Sequence, residues 1–173
     1  FNPEKLLWLN QHYIQKCDTE RLAKEVCPFI KKMHLNVADD VSLKKVADDL
    51  KNRSKTLVEM AESGAFYFQD EVEYDEKAAQ KFLNEEYAEH LRVVAKALPS
   101  LEDYTAEGIE TFLRKTAEEQ NTKLKFIAQP IRVALTGRTV SPGIDEIMIT
   151  LGREKVIARL ERAIIYCRHG QHS

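Results

Sequence analysis

Apolar residues recur at intervals of three and four positions along most of this chain, which is the spacing of helices that bury one face. Capping and stop residues divide this pattern into segments. Pro3 can open a first helix after Asn2, Thr19 and Thr105 can begin later ones, and Pro99 ends another. We therefore predict an all-α fold built as a two-part helical bundle.

Two long helices are predicted in the first two thirds of the chain. One starts at residue 39 or 40 and runs to residue 64, and the other covers residues 75–98. Between them, residues 65–74 break the helical period with aromatic side chains followed by carboxylates, and a short strand is a weaker alternative there. We place a domain boundary in this segment, which gives domains at residues 1–74 and 75–173.

The link between two of the last helices is the most informative segment. Gly137 is expected to end a helix, because glycine is the common left-handed stop. Ser141 is expected to cap the next helix, with Pro142 at its first position, where a missing N–H costs nothing. The polar groups then exposed are Arg138 and the hydroxyls of Thr136, Thr139 and Ser141. Such a surface suits phosphate or unpaired bases, although an ordinary corner between helices is the alternative.

Charge is distributed unevenly along the sequence. Residues 62–122 hold 15 acidic and 6 basic side chains, a net charge of −9, whereas residues 1–61 carry +2 and residues 123–173 carry +5. The anionic middle would repel a polyanion, while both ends could accept one. Solvated helix faces without a charged partner are the alternative interpretation.

Arg53 lies in a short basic stretch that is predicted to occupy the exposed side of its helix. The neighbouring basic residues are Lys44, Lys45, Lys51 and Lys55. An arginine fork fits the N3 and O2 acceptors of cytosine, whereas guanine presents N–H donors along the same edge, so this contact would separate the two bases by about 1 to 3 kcal/mol. A solvated arginine in a surface ion pair is the alternative.

No set of residues in the sequence favours catalysis or metal binding. The gaps between the histidines and cysteines match no structural zinc site, and adjacent acidic pairs such as Glu85 and Glu86 diverge by about 100° around a helix. A Gly-rich phosphate loop and a dinucleotide fingerprint are absent from the sequence. We therefore predict no catalytic residue, metal or cofactor in this chain.

The cellular setting follows from the cysteines and the hydropathy. Three cysteines without a secretory signal favour a reducing compartment, and no apolar run reaches the length of a membrane span. We expect a cytoplasmic protein that does not bind a membrane. Because the chain begins with Phe1 and not with methionine, we also expect it to be a piece of a longer polypeptide.

The stretches FNPEKLLWLNQHYI at the start and QPIRVALTGRTVSPGIDEIMITLGREKVIARLERAI at the end resemble the C-terminal part of bacterial-type glutamyl-tRNA synthetases, a class I family. The resemblance covers essentially all 173 residues and is weakest between Phe66 and Asn121. It implies a cage-like anticodon-binding region of two helical subdomains, residues 1–74 after a stem-contact region and residues 75–173. The implied partners are the anticodon loop of tRNA(Glu) and the catalytic and stem-contact domains of the same polypeptide, and we expect a monomer.

The resemblance also implies how the activity is divided. The parent polypeptide would ligate glutamate to tRNA(Glu), with ATP and Mg bound in a catalytic domain that is missing here. This chain alone is expected to be inactive. A helical protein-interaction module without an RNA ligand, with the acidic middle as its docking face, remains the alternative.

Individual residues can be matched to the family pattern. Arg53 matches the arginine that faces the third anticodon base, and Arg132 matches the arginine of the QP-R motif and is likewise expected to bind the anticodon. The turn that meets the other anticodon bases matches Ser141, Pro142, Gly143 and Ile144. Serine and isoleucine replace the family's threonine and leucine, and Asp145 replaces an aromatic residue. The expected phosphate contacts are Lys44, Lys45, Lys51, Lys55 and Arg138.

Overall fold

The computed structural model describes residues 3–37 and 41–169, and within these residues it contains helices and no strand. The α-helices are α1 Pro3–Lys16, α2 Thr19–Lys32, α3 Leu43–Leu50, α4 Leu57–Gly64, α5 Glu76–Phe82, α6 Glu85–Ala97, α7 Ala106–Glu119, α8 Leu124–Thr136, α9 Ile144–Leu151 and α10 Arg153–His169. Short 3₁₀ turns cover Ala65–Phe68 and Leu98–Ser100. The prediction of an all-α fold is confirmed. In the described part of the chain, none of the helices combines the length and the apolar character that crossing a membrane requires.

The first of two compact units covers Phe1–Asp70. Helices α2, α3 and α4 pack on one another, and the 3₁₀ turn packs against α4. Tyr67 in that turn is fully buried, and its hydroxyl donates a hydrogen bond of 2.8 Å to the carboxylate of Asp49. Helix α1 contributes only Ile14 to the buried interior, so the core of this unit belongs to the other helices.

The long helix predicted to end at residue 64 is two helices, and Arg53 lies in the turn between them and not on a helix face. The Ser54 hydroxyl donates to the Leu50 carbonyl at 2.9 Å, and the Arg53 N–H donates to the same carbonyl at 3.0 Å. Thr56 then caps α4 by accepting from the Glu59 N–H at 3.0 Å. The side chains of Ser54 and Thr56 thus bond to a carbonyl and an N–H that would bond to other backbone groups in a continuous helix. The predicted start at residues 39 and 40 lies outside the described residues, and α3 begins after its cap at Ser42.

The second unit covers Glu71–Ser173 and is organised around α8, which packs against α5, α6, α7, α9 and α10. Five apolar side chains of α8 are at most 1% exposed: Ile127, Ile131, Val133, Ala134 and Leu135. The helix predicted over residues 75–98 is also interrupted, because Asn84 caps α6 through the Glu86 N–H at 3.0 Å. The predicted helix start at Thr105 and helix end at Gly137 are confirmed.

The two units meet in sequence at residues 70 and 71, four residues before the boundary that we expected. Residues 71–75 pack within the second unit, where Val72 is 1% exposed and the Asp75 N–H donates to the Gly137 carbonyl at 2.8 Å. We call this segment, Glu71 to Asp75, which lies outside the helices, the strap. It overlaps the end of the predicted boundary segment, residues 65–74, and its backbone bonds to the second unit.

Gly137 offers a test of how tightly the strap packs. A Cβ at Gly137 would lie 2.0 Å from the Glu73 carbonyl oxygen. We expect Gly137→Ala to cost about 1 kcal/mol from the left-handed backbone and about 2 kcal/mol more from the clash. Urea unfolding followed by circular dichroism measures the loss. A loss of no more than about 1 kcal/mol, the strain of a left-handed alanine alone, would contradict the close approach.

Candidate functional site

The segment between α8 and α9 covers residues Gly137 to Gly143, and we call it the interhelix turn. Gly137 ends α8 in the left-handed conformation, and its N–H donates to the Val133 carbonyl at 2.8 Å. The next three residues, Arg138, Thr139 and Val140, are exposed. The segment therefore presents a cation, a hydroxyl and an apolar side chain to solvent.

The start of α9 differs from the prediction. The helix begins at Ile144 with Gly143 as its cap residue, and the Gly143 N–H donates to the Glu146 carboxylate at 3.2 Å. Ser141 does not cap the helix, because its hydroxyl donates to the Pro142 carbonyl at 2.8 Å and accepts a short hydrogen bond from Arg132. Local pairing with the neighbouring carbonyl thus displaces the expected cap by two residues.

Burial divides the four residues of the predicted base-contacting turn. Ser141 and Gly143 are half-buried, whereas the side chains of Pro142 and Ile144 are buried, with Ile144 only 7% exposed. Ile144 is the first residue of α9. Surfaces of Ser141 and Gly143 are left for an external ligand.

Thr136 also differs from its predicted exposure, since it is 5% exposed. Its hydroxyl donates to the Arg132 carbonyl at 2.8 Å and accepts from the Arg138 N–H at 3.1 Å. The hydroxyl therefore closes the last turn of α8 instead of facing solvent.

Arg132 fixes the second half of the interhelix turn. It projects from the central helix α8, and its Nη1 donates to the Pro142 carbonyl at 2.8 Å and to the Ser141 carbonyl at 3.2 Å. One charged donor thus serves two carbonyl oxygens and a hydroxyl, and such charge-assisted hydrogen bonds are stronger than neutral ones. Arg132 holds the turn whose neighbours were predicted to contact RNA.

A second arginine lies beneath the end of α8. Arg159 of α10 is 6% exposed, and its Nη1 donates to the Leu135 carbonyl at 2.6 Å. Burial lowers the pKa of Arg159 to about 10, so that the guanidinium remains charged at neutral pH. Arg159 and Arg132 therefore place positive charge at the last turn of α8 and at the segment that follows it.

The basic candidates of the first unit have different environments. Arg53, Lys45 and Lys55 are exposed, and the Lys44 ammonium lies 3.7 Å from the Glu20 carboxylate. Lys51 is half-buried and donates to the Cys17 carbonyl at 3.1 Å, which links the turn after α3 to the end of α1. Lys51 therefore has a structural role in addition to its predicted contact with phosphate.

The structure brings Arg132 together with Ser141, Pro142 and Gly143, and it assigns Arg53 to the other unit. Val140 was not among the predicted site residues, yet it is 73% exposed beside them. In the sequence, Val140 is an apolar residue among polar ones, between the residues that mark the end of one helix and the start of the next. Such a residue has no helical face to join, so exposure was its expected state.

The role of Arg132 can be separated from that of Arg138 by stability. We expect Arg132→Ala to lower the free energy of unfolding by about 2 to 3 kcal/mol, since two carbonyl groups lose a charged donor. Arg138→Ala is expected to change it by less than about 0.5 kcal/mol, because the side chain is exposed. Urea unfolding of both variants measures the difference. Similar losses would mean that Arg132 does not hold the interhelix turn.

Comparison with known proteins adds an independent finding. The family model described as an anticodon binding domain matches residues 21–164. The chain is 54% identical over its whole length to glutamate–tRNA ligase 1 of Syntrophus aciditrophicus, of which it covers 37%, and 42% identical over 170 residues to glutamate–tRNA ligase of Geotalea uraniireducens, of which it covers 36%. A crystal structure of a glutamate tRNA ligase from Elizabethkingia meningosepticum matches 95% of this chain and 32% of its own, with a TM-score of 0.83 and 28% identity. The chain thus spans roughly a third of the length of these relatives.

Proposed function

The chain belongs to the family of anticodon-binding domains, and on that premise we propose that it recognises the anticodon loop of tRNA(Glu) as one part of a longer glutamate–tRNA ligase. The whole ligase would join glutamate to this tRNA in the cytoplasm, as a monomer, with ATP and Mg bound outside the third of the protein that this chain represents. The observation that carries the proposal is the exposed interhelix turn held by Arg132, inside the matched region. The family makes a protein-interaction module without RNA the less favoured interpretation.

The exposed groups of the interhelix turn fit an unpaired loop of RNA. Unstacked bases are read by side chains that contact their faces and edges, and phosphates are held by cations. In this proposal Arg138 contacts a phosphate, Val140 packs on a base, and Ser141 and Gly143 offer polar contacts. The buried Pro142 and Ile144 support the turn from below.

Arg53 supplies the second part of the proposed recognition. Its side chain is exposed on a turn that Ser54 and Thr56 hold through backbone hydrogen bonds. A fixed backbone orients the guanidinium, and a planar fork facing two acceptors distinguishes cytosine from guanine. We assign Arg53 to the third anticodon base and the exposed Lys45 and Lys55 to phosphates.

The proposal is tested by exchanging Arg53 for glutamine. The unchanged protein is expected to bind an anticodon stem-loop with cytosine at the third anticodon position more tightly than one with guanine there, and Arg53→Gln is expected to reduce this preference by about 1 to 3 kcal/mol. Titration of both labelled RNAs at fixed salt measures the preference. An unaltered preference would remove Arg53 from base recognition.

Lys45→Ala is the matched control, since Lys45 is an exposed cation of the same unit. It should weaken binding of both RNAs equally and make the slope of log affinity against log salt less steep by about one. The protein-interaction alternative predicts no RNA binding at any salt concentration, so the unchanged protein alone already distinguishes the two functions.

Helix α1 supports the proposal that the chain works within a longer polypeptide. Its exposed large apolar residues are Leu6, Leu7, Trp8, Leu9 and Tyr13, with exposed fractions of 42% to 59%. An isolated helix of 14 residues with one buried side chain has little to stabilise it in water. The helix also precedes the matched domain at residues 21–164, although the Syntrophus relative matches the whole chain. The proposed partner of α1 is therefore the stem-contact domain of the same ligase.

Hydrogen–deuterium exchange tests this partner. Amides of residues 4–16 in α1 should exchange at least about tenfold more slowly in the full-length ligase than in this chain, because packing removes local opening. Amides of α7, Ala106–Glu119, serve as the control and should exchange alike in both proteins. Equal exchange of α1 in both proteins would show that the stem-contact domain does not cover its apolar face.

A further inference from the structure

The strap crosses the first residue of the interhelix turn. The Glu73 carbonyl occupies the space where a side chain at Gly137 would lie, and the Asp75 N–H donates to the Gly137 carbonyl at 2.8 Å. Gly137 is thus held by the strap at the point where the chain leaves α8. The exposed residues of the interhelix turn follow directly after this contact.

Arg162 of α10 holds the strap in turn. Its Nη1 donates to the Val72 carbonyl at 2.8 Å, and its guanidinium carbon lies 4.8 Å from the centre of the Tyr74 ring. The Tyr74 ring also contacts Tyr166 of the same helix, edge to face, at 4.9 Å. The Arg162 Nε also lies 3.8 Å from a carboxylate oxygen of Glu71 in a looser ion pair. One guanidinium therefore binds the strap through its backbone and through a ring face.

From these contacts we propose that Arg162 is a positioning residue for RNA recognition, acting through the strap on Gly137 and hence on the interhelix turn. Arg162 would not itself need to contact RNA. The proposal rests on the proposed anticodon function, because it concerns how that RNA-facing surface is held. Elements with two alternative packings can transmit such effects between residues that do not touch the ligand.

The same helix offers a closely matched control. Arg153 donates to the Pro99 carbonyl at 3.0 Å, and its guanidinium carbon lies 4.8 Å from the centre of the Tyr104 ring. Arg153→Ala and Arg162→Ala therefore remove the same charge, the same kind of backbone hydrogen bond and the same kind of ring contact. Only Arg162 touches the strap. Arg162→Lys keeps the charge and a donor for Val72, and it serves as the conservative variant.

Two measurements decide the proposal. The first compares binding of a stem-loop carrying the glutamate anticodon with one whose three anticodon bases are replaced, since loss of folded protein lowers both affinities equally and leaves their ratio unchanged. We expect Arg162→Ala to reduce this ratio by roughly 2- to 30-fold, Arg162→Lys to restore most of it, and Arg153→Ala to leave it unchanged. Equal ratios in the two alanine variants would overturn the positioning role.

The second measurement is hydrogen–deuterium exchange over residues 133–143 without RNA. Arg162→Ala is expected to accelerate exchange there by about tenfold relative to Arg153→Ala, because the strap no longer restrains Gly137. Unchanged exchange would overturn the proposal whether or not RNA binds. Faster exchange in a protein whose unchanged form does not distinguish the two stem-loops would instead refute the anticodon function, and with it any role of Arg162 in recognition.

Discussion

The close approach of the Glu73 carbonyl to the Cα of Gly137 is the constraint on which the second unit depends. The approach is possible only because Gly137 lacks a side chain, and the same residue adopts the left-handed conformation that stops α8. One glycine thus ends the central helix, admits the strap and starts the exposed interhelix turn. A side chain there would require the helix end and the strap to separate, and the residues that face solvent would shift with them.

Arginine side chains also hold the second unit together, by donating to backbone carbonyl groups. Carbonyl groups that leave regular helices need donors, and four arginines of the second unit supply them: Arg132, Arg153, Arg159 and Arg162. Their guanidinium groups would be counted in the sequence as charges available to a polyanion. In the structure they are committed to carbonyl oxygens, and Arg138 is the arginine of the interhelix turn that is exposed. These four arginines therefore contribute to a positive potential while they are bonded to carbonyl oxygens, whereas Lys123, Lys125, Arg138 and Arg168 are exposed.

How much could be predicted from sequence depends on whether neighbouring residues alone decide the outcome. Hydrophobic periodicity gave the helical class, and Thr105 and Gly137 marked helix ends because their effect is local. The break at Ser54 was missed, since apolar spacing continues across it and the competition between a side-chain and a main-chain donor is not visible in a pattern. Ser141 was read as a cap, but Arg132, nine residues earlier, is one of its partners. Tertiary packing decides which carbonyl groups a buried arginine reaches, and the spacing of residues along the sequence does not predict them.

The structure also shows where many of the acidic side chains of residues 62–122 lie. Many of these carboxylates lie on helices and the strap of the second unit, and two of them pair with arginines one turn away, Glu89 with Arg92 and Glu110 with Arg114. Such pairs are exposed and contribute little to stability, but the unpaired excess leaves residues 62–122 with a charge of −9. In the proposed function, an RNA would be repelled by these carboxylates and accepted at the turn that Arg138 occupies. Approach through the basic residues 123–173 would be favoured over approach through residues 62–122, so the charge distribution would contribute to specificity although the net charge of the chain is only −2.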